Sequence, residues 1–153
     1  MFQELLIIFS AEYLGYTLLA VFAALFFRNH NKNFLFIPLI SALVSRFVFT
    51  EIIRFFYFRP RPFVEQGLTP LFEHDPTASF PSGHAAFFFA LSAGVYSYNK
   101  KAGLLFFIGS FAIGFGRVLA GLHYSTDILG GLVIGVFSFW LVKFFYEKFT
   151  SRS

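Results

Sequence analysis

The 153-residue chain contains no cysteine, which removes disulfides and thiolate chemistry from consideration. An oxidising compartment on one side of a membrane is thereby permitted but not required. Charge is also scarce, at 13% of residues against 57% hydrophobic. With a mean hydropathy of +0.69, this excludes a water-soluble domain, whose core would have to hide more apolar surface than so short a chain can enclose. The eight carboxylates never cluster, so no Mg²⁺ site is expected. No other cofactor and no nucleic-acid partner is expected either. The start, "MFQELLIIFSAEYLGY", lacks the basic region of a cleavable signal, and none is expected. No internal repeat is visible.

What is present in excess is phenylalanine, 27 of them, a ring that faces lipid without needing a hydrogen-bond partner. A spanning helix needs ~20 apolar residues to cross ~30 Å of hydrocarbon. The expected spans run over 5–27, 34–58, 84–98, 102–119 and 126–146. The fold class is therefore an all-α integral membrane bundle of about five transmembrane helices, forming a single domain over 1–153. Between the second and third spans, "RPRPFVEQGLTPLFEHDPTASFPSG" is too rich in proline and polar groups to touch lipid.

Basic residues orient the bundle. Arg28 and Lys32, Lys100 and Lys101, and Lys143, Lys148 and Arg152 fall in segments that five helices place on one face. The positive-inside rule makes that face cytoplasmic. The long loop and "AGLHYST" then share the periplasmic or exterior face. Gly131 and Gly135 have the spacing for close helix contact, expected within the monomer. The oligomeric state is not readable from the sequence.

Three polar clusters gather on the non-cytoplasmic face. In "RFFYFRPRPF", Arg54 and Arg61 are seven residues apart, one helix face if the helix continues, although the prolines argue for an end before Arg61. In "FPSGHAAFFF", Ser82 suits an N-cap and Gly83 permits close backbone approach. The helix start then points N–H groups at the loop, with His84 in its first turn. In "GRVLAGLHYSTDILGG", His123 and Asp127 are four apart, one turn of a helix, so the carboxylate can fix the imidazole tautomer. Arg117 lies just upstream. Each cluster alone has a structural explanation. Together they supply a nucleophile, an acid and a guanidinium clamp, the parts of a phosphoryl-transfer site.

These residues resemble the type-2 phosphatidic acid phosphatase family, whose signature is K-x6-R-P, then P-S-G-H, then S-R-x5-H-x3-D. The first element matches from Arg54 to Arg61 and Pro62, with Arg for Lys; the second matches fully at Pro81 to His84; the third matches at Arg117, His123 and Asp127, with Gly116 for Ser. The resemblance implies that His123 is the nucleophile, giving a phosphohistidine, and that Asp127 orients it. It implies that His84 protonates the leaving oxygen and then deprotonates water, without a metal. Arg54, Arg61, Ser82, Gly83 and Arg117 would bind phosphoryl oxygens. Loss of the hydroxyl at 116 would weaken phosphate binding. The family's six helices against five here imply that one peripheral helix is missing.

The implied substrate is a lipid phosphate at the outer surface of a bacterial inner membrane. Undecaprenyl diphosphate and lipid A 1-phosphate lead, followed by phosphatidylglycerophosphate and phosphatidic acid. The competing function is an anion transporter or channel, which predicts charges spread through the depth of the bundle. A soluble vanadate-haloperoxidase-like protein is excluded by composition. His30 is expected to be solvated in a basic turn. His74 matches no motif, which leaves a headgroup contact as its minor alternative. Glu65, Glu73 and Asp75 are expected to face solvent. Glu12, Arg46 and Glu51 should point inward or lie near an interface, with Glu51 pairing to Arg54 or Arg46.

Overall fold

The computed structural model describes residues 2–28, 33–72 and 74–151. His30, Lys32, Glu73 and Arg152, expected in turns, the loop and the tail, lie outside these residues. Among the described residues there are helices and no strands. Helix α1 is Phe2–Arg28, with a π turn at Phe9–Tyr13. Helix α2 runs through Asn33–Val44, a π segment Ser45–Phe49, and Thr50–Phe56. A short α3, Pro62–Glu65, precedes the loop. Helices α4 (Gly83–Tyr98), α5 (Lys100–Leu119) and α6 (Ser125–Thr150) complete the chain.

Of these, α1, α2, α5 and α6 are long and apolar enough to cross a membrane. The fifth long helix, α4, has 16 residues, or about 24 Å, short of the hydrocarbon thickness. It does not need to face lipid, because α2, α5 and α6 surround it and most of its residues are buried. Its low content of bulky polar groups follows from that central place. By contrast, Phe27, Phe55 and Phe56 are each more than 80% exposed, the arrangement of side chains that face acyl chains.

Small residues set the closest approach. A Cβ on Gly131 would come within 2.6 Å of the Ala85 Cβ, and one on Gly135 within 2.7 Å of the Ala86 carbonyl oxygen. The small-residue stripe is thus used between α6 and α4 of the same chain. The second helix stops at Phe56 rather than Phe58, with Tyr57 already extended at φ −135°, ψ 98°. Pro60 explains the early stop, since it carries no N–H and disfavours helical backbone at Arg59. Arg61 therefore lies beyond the helix, as the extended residue that precedes α3.

Helix alternation brings the end of α2, the start of α4, the end of α5 and the start of α6 to one end of the bundle. Arg28, Lys100, Lys101 and Lys148 belong to the opposite ends of their helices.

Candidate active site

The turn between α5 and α6 is closed by Gly121 at φ +75°, a left-handed conformation that suits glycine. It delivers His123 two residues ahead of α6. His123 and Asp127 therefore do not stack on a helix, as the four-residue spacing suggested. Instead Asp127 is the third residue of α6, and its Oδ2 accepts the Tyr124 N–H at 2.9 Å, capping the helix. That cap turns the carboxylate back toward His123, whose Nδ1 lies 3.3 Å from Oδ2.

Asp127 is fully buried and well satisfied. Besides Tyr124 and His123, Oδ2 accepts the Ser79 hydroxyl at 2.5 Å and Oδ1 accepts Arg59 Nη1 at 3.1 Å. The Arg59 guanidinium also donates to Thr126 Oγ1 and lies 3.8 Å above the Tyr124 ring. Neither Ser79 nor Arg59 was singled out from the sequence. Arg59 sits in the same Arg-Pro-Arg-Pro run as Arg61, but no motif spacing includes it. Ser79 lies in an irregular loop without periodicity to mark it.

The other face of His123 meets Arg61. Arg61 Nη1 is 3.1 Å from His123 Nε2 and 3.1 Å from the Leu122 carbonyl oxygen. A guanidinium only donates, so Nε2 must present its lone pair and the ring proton must sit on Nδ1, facing Asp127. Burial, opposed by the Asp127 hydrogen bond and reinforced by Arg61, holds the His123 pKa down to about 4. The ring is therefore neutral at pH 7, with the lone pair of Nε2 directed away from the carboxylate. Arg61 is anchored through Nε to the Thr77 carbonyl and through Nη2 to Thr77 Oγ1, both at 3.0 Å. Burial and Arg54 lower its pKa to about 10, still leaving it charged at neutral pH.

Arg54 donates to Glu51 at 3.3 Å and to the Pro81 carbonyl at 3.0 Å. Arg46 also contacts Glu51 Oε1, so Glu51 pairs with both arginines. Arg117 reaches the Ala11 carbonyl in the π turn of α1 and His74 Nε2, both at 2.9 Å. Because Arg117 donates, His74 carries its own proton on Nδ1, which faces the Asp75 carbonyl at 3.2 Å. Burial lowers the His74 pKa further. Arg54 and Arg117 each leave a buried Nε–H without a partner among the described residues.

Helix α4 begins as expected, with Ser82 Oγ accepting the Ala85 N–H. The Ser82 N–H is used by the Asp127 carbonyl at 3.0 Å, so Ser82 ties the two helix starts together and is not among the residues that line the two cavities at this end. Gly83 lies under Arg46: a Cβ there would be 2.6 Å from the Arg46 Nε. Gly116 has a comparable role, since a Cβ would meet Ser10 and the Ala11 N–H. Glycine at 116 thus lets α1 approach closely enough for Ala11 to receive Arg117.

Two cavities adjoin at this end. One, of about 380 Å³, is lined by Arg54, Arg61, Thr77, His84 and His123 among others. The second, of about 350 Å³, lies between α1 and α4 and takes in Glu12, Leu19, Phe87, Phe88 and Arg117. Arg46, His74, Gly83 and His84 border both. The first cavity thus holds His123, His84, Arg54, Arg61 and Gly83 together, whereas Arg117 opens on the second. Asp75 is exposed and lines the first cavity; Glu65 is exposed and accepts the Tyr124 hydroxyl. Among the described residues no group of three His, Asp or Glu side chains is placed to hold a metal ion.

The family description "PAP2 superfamily" matches residues 34–151. The undecaprenyl-diphosphatase BcrC of Bacillus subtilis is 30% identical over 147 residues, covering 95% of this chain and 74% of that protein. A Bacillus licheniformis relative named bacitracin transport permease protein BcrC is 31% identical over 138 residues, covering 86% of this chain and 68% of that protein. In three dimensions the chain is similar to LpxE of Aquifex aeolicus, with a TM-score of 0.74 and 28% identity, over 92% of this chain and 85% of that one.

Proposed function

The chain belongs to the PAP2 superfamily and is a multi-pass membrane lipid phosphatase, and from that premise we propose that His123 is its nucleophile and His84 its acid–base. The observation that carries this is the His123 ring, which lines the arginine-rich cavity with its proton held toward Asp127 and its Nε2 lone pair against Arg61. In the first step Nε2 bonds to phosphorus as the bond to the leaving oxygen breaks, and His84 gives that oxygen a proton. Asp127 stabilises the positive charge that develops on the ring. For attack, the Arg61 Nη1–H must leave the lone pair and turn onto a phosphoryl oxygen, so the same group that shields the resting nucleophile stabilises the transferring phosphoryl. In the second step His84 takes a proton from water, which attacks phosphorus and breaks the P–N bond, releasing inorganic phosphate. The free Nε–H groups of Arg54 and Arg117 suit further phosphoryl oxygens, because an unsatisfied buried donor costs ~1–3 kcal/mol.

Relatives suggest a lipid diphosphate such as undecaprenyl diphosphate, with lipid A 1-phosphate next; phosphatidylglycerophosphate and phosphatidic acid belong to the same chemical class. The basic helix ends opposite the site support a cytoplasmic placement for that end, and hence a site facing the periplasm or exterior of a bacterial inner membrane. Charge distribution favours hydrolysis over anion transport. Residues 13–27, 33–45, 85–99, 102–116 and 128–142 contain no Asp, Glu, Lys, Arg or His, so no charged path continues toward the other face.

The test is phosphate release from a panel of lipid phosphates in detergent with chelator present. Wild type should turn over, His123→Ala should not, and vanadate should inhibit. Strict dependence on added Mg²⁺, or undiminished turnover by His123→Ala, would refute the mechanism.

A further inference from the structure

Arg46 and Glu12 stand outside every element of the signature, and both belong to apolar helices, Arg46 partly buried and Glu12 exposed where it lines a cavity. Arg46 belongs to the π segment of α2 and Glu12 to the π turn of α1. Ten residues separate Arg46 from the end of its helix at Phe56, roughly 15 Å at the usual rise. An arginine within a span is costly and marks a function by default, and π turns occur frequently at functional sites. Here both π segments direct a charged side chain to the same cavity.

The position of Arg46 is specific. Its side chain crosses directly over Gly83, where any Cβ would collide with it, and it borders both cavities. His84, the proposed proton donor to the leaving oxygen, borders both as well. His123 lines only the first cavity and Arg117 only the second. A chain of groups therefore runs from the nucleophile through His84 to a second region with two guanidiniums and an apolar wall formed by Leu19, Phe87 and Phe88.

We propose that Arg46 is a specificity-determining residue that binds the second phosphate of a lipid diphosphate, in the cavity between α1 and α4, while the terminal phosphate is transferred to His123. This rests on the phosphatase reading and deepens it by naming the headgroup. In the transfer, the P–N bond to His123 forms, the bond from the terminal phosphorus to the bridging oxygen breaks, and His84 protonates that oxygen. The departing group is then a lipid monophosphate, whose charge Arg46 and Arg117 neutralise. A lipid monophosphate substrate places carbon beyond that oxygen and offers Arg46 nothing to hold. Glu51, which contacts both Arg46 and Arg54, links the two phosphate positions while leaving the pair of guanidiniums in charge excess. Glu12 opposes an anion in the second cavity, so its removal should strengthen binding there.

The experiment measures calorimetric binding of inorganic pyrophosphate and of orthophosphate to the full chain in detergent, in a His123→Ala background that prevents turnover. Pyrophosphate should bind at least tenfold more tightly than orthophosphate. Arg46→Met should weaken pyrophosphate by roughly tenfold or more, in line with loss of a charge-assisted contact, and leave orthophosphate within about twofold. Glu12→Gln should tighten pyrophosphate only, an arm that holds even if Arg46→Met does not fold. Pyrophosphate binding no tighter than orthophosphate, undetectable binding of pyrophosphate, or an Arg46→Met effect that is equal on both anions or absent would overturn the proposal. Failure of the phosphatase reading shows separately, as no phosphate release from any lipid by the protein with His123 intact.

Discussion

Replacing Ser79 with alanine removes one hydroxyl from the network behind the nucleophile and touches nothing that a substrate would touch. That hydroxyl donates to Asp127 Oδ2 at 2.5 Å and lies 3.4 Å from His123 Nδ1, and both Ser79 and Asp127 are fully buried. A hydrogen bond to a charged acceptor contributes ~1.5–3 kcal/mol. Asp127 keeps three other donors, Tyr124 N at 2.9 Å, Arg59 at 3.1 Å and His123 at 3.3 Å, which argues for the lower part of that range, about 2 kcal/mol. The His123 contact is longer than an optimal charge-assisted bond, so a carboxylate freed to rotate loses its hold on the imidazole first. If most of the loss appears in the transition state, kcat falls about tenfold to thirtyfold, and KM changes by less than about twofold. Because Ser79 acts through Asp127, the same substitution in an Asp127→Asn background should cost only ~0.5 kcal/mol, giving a coupling near 1.5 kcal/mol in a double-mutant cycle. The assay is phosphate release over a substrate range for the four proteins, with thermal unfolding measured in parallel. A Ser79→Ala kcat within twofold of wild type, or an undiminished Ser79→Ala loss in the Asp127→Asn background, would refute the reasoning.

Other outcomes follow from the same geometry. His123 has its pKa held down to about 4 by burial, against ~6.5 for a free histidine. The unfolded chain therefore binds more protons between these values, so the stability contribution is complete above about pH 6.5 and is lost as pH falls toward 4, on the order of 3 kcal/mol in full. Unfolding temperature should drop on acidification through that window, and His123→Gln should flatten the slope; parallel slopes would contradict this. Arg59→Met removes the Asp127 and Thr126 contacts and the stacking on Tyr124, but Arg59 is partly solvated. Activity should fall by ~1 kcal/mol, or about fivefold, with Arg59→Lys restoring part of it; a loss as large as that of Asp127→Asn would show a different role. Gly131→Ala forces its new methyl against Ala85 and the backbone of Ala86 and Ser82. It should destabilise by ~1–3 kcal/mol and lower kcat by disturbing the Ser82–Asp127 backbone bond, whereas an unchanged unfolding temperature would mean that α6 can shift freely.

Four of the five long helices were legible because lipid imposes a long apolar run on each span, and such runs survive as one-dimensional patterns; α4 is apolar because α2, α5 and α6 surround it. The motif residues His84, Arg54, Arg61, His123 and Asp127 were legible through spacing and resemblance, although the helical stacking expected of His123 and Asp127 was replaced by a turn and a helix cap. Composition and the position of basic residues likewise determined the class of protein and the alternation of its helices.

Other features were decided only in three dimensions. Ser79 and Arg59 reach Asp127 across 48 and 68 residues of chain, so no local period marks them. The roles of Gly83 and Gly116 as clearance for Arg46 and for α1 appear only when those neighbours are in place. Arg46 and Glu12 read in sequence as charges that must point inward or lie near an interface, with Glu51 a partner for Arg46; π turns and helix packing bring Arg46 and Glu12 to one cavity. The length of an apolar run records which segments leave water, a property of each segment alone. Which side chains meet one another depends on the packing of segments distant in the chain, and that information has no local signature.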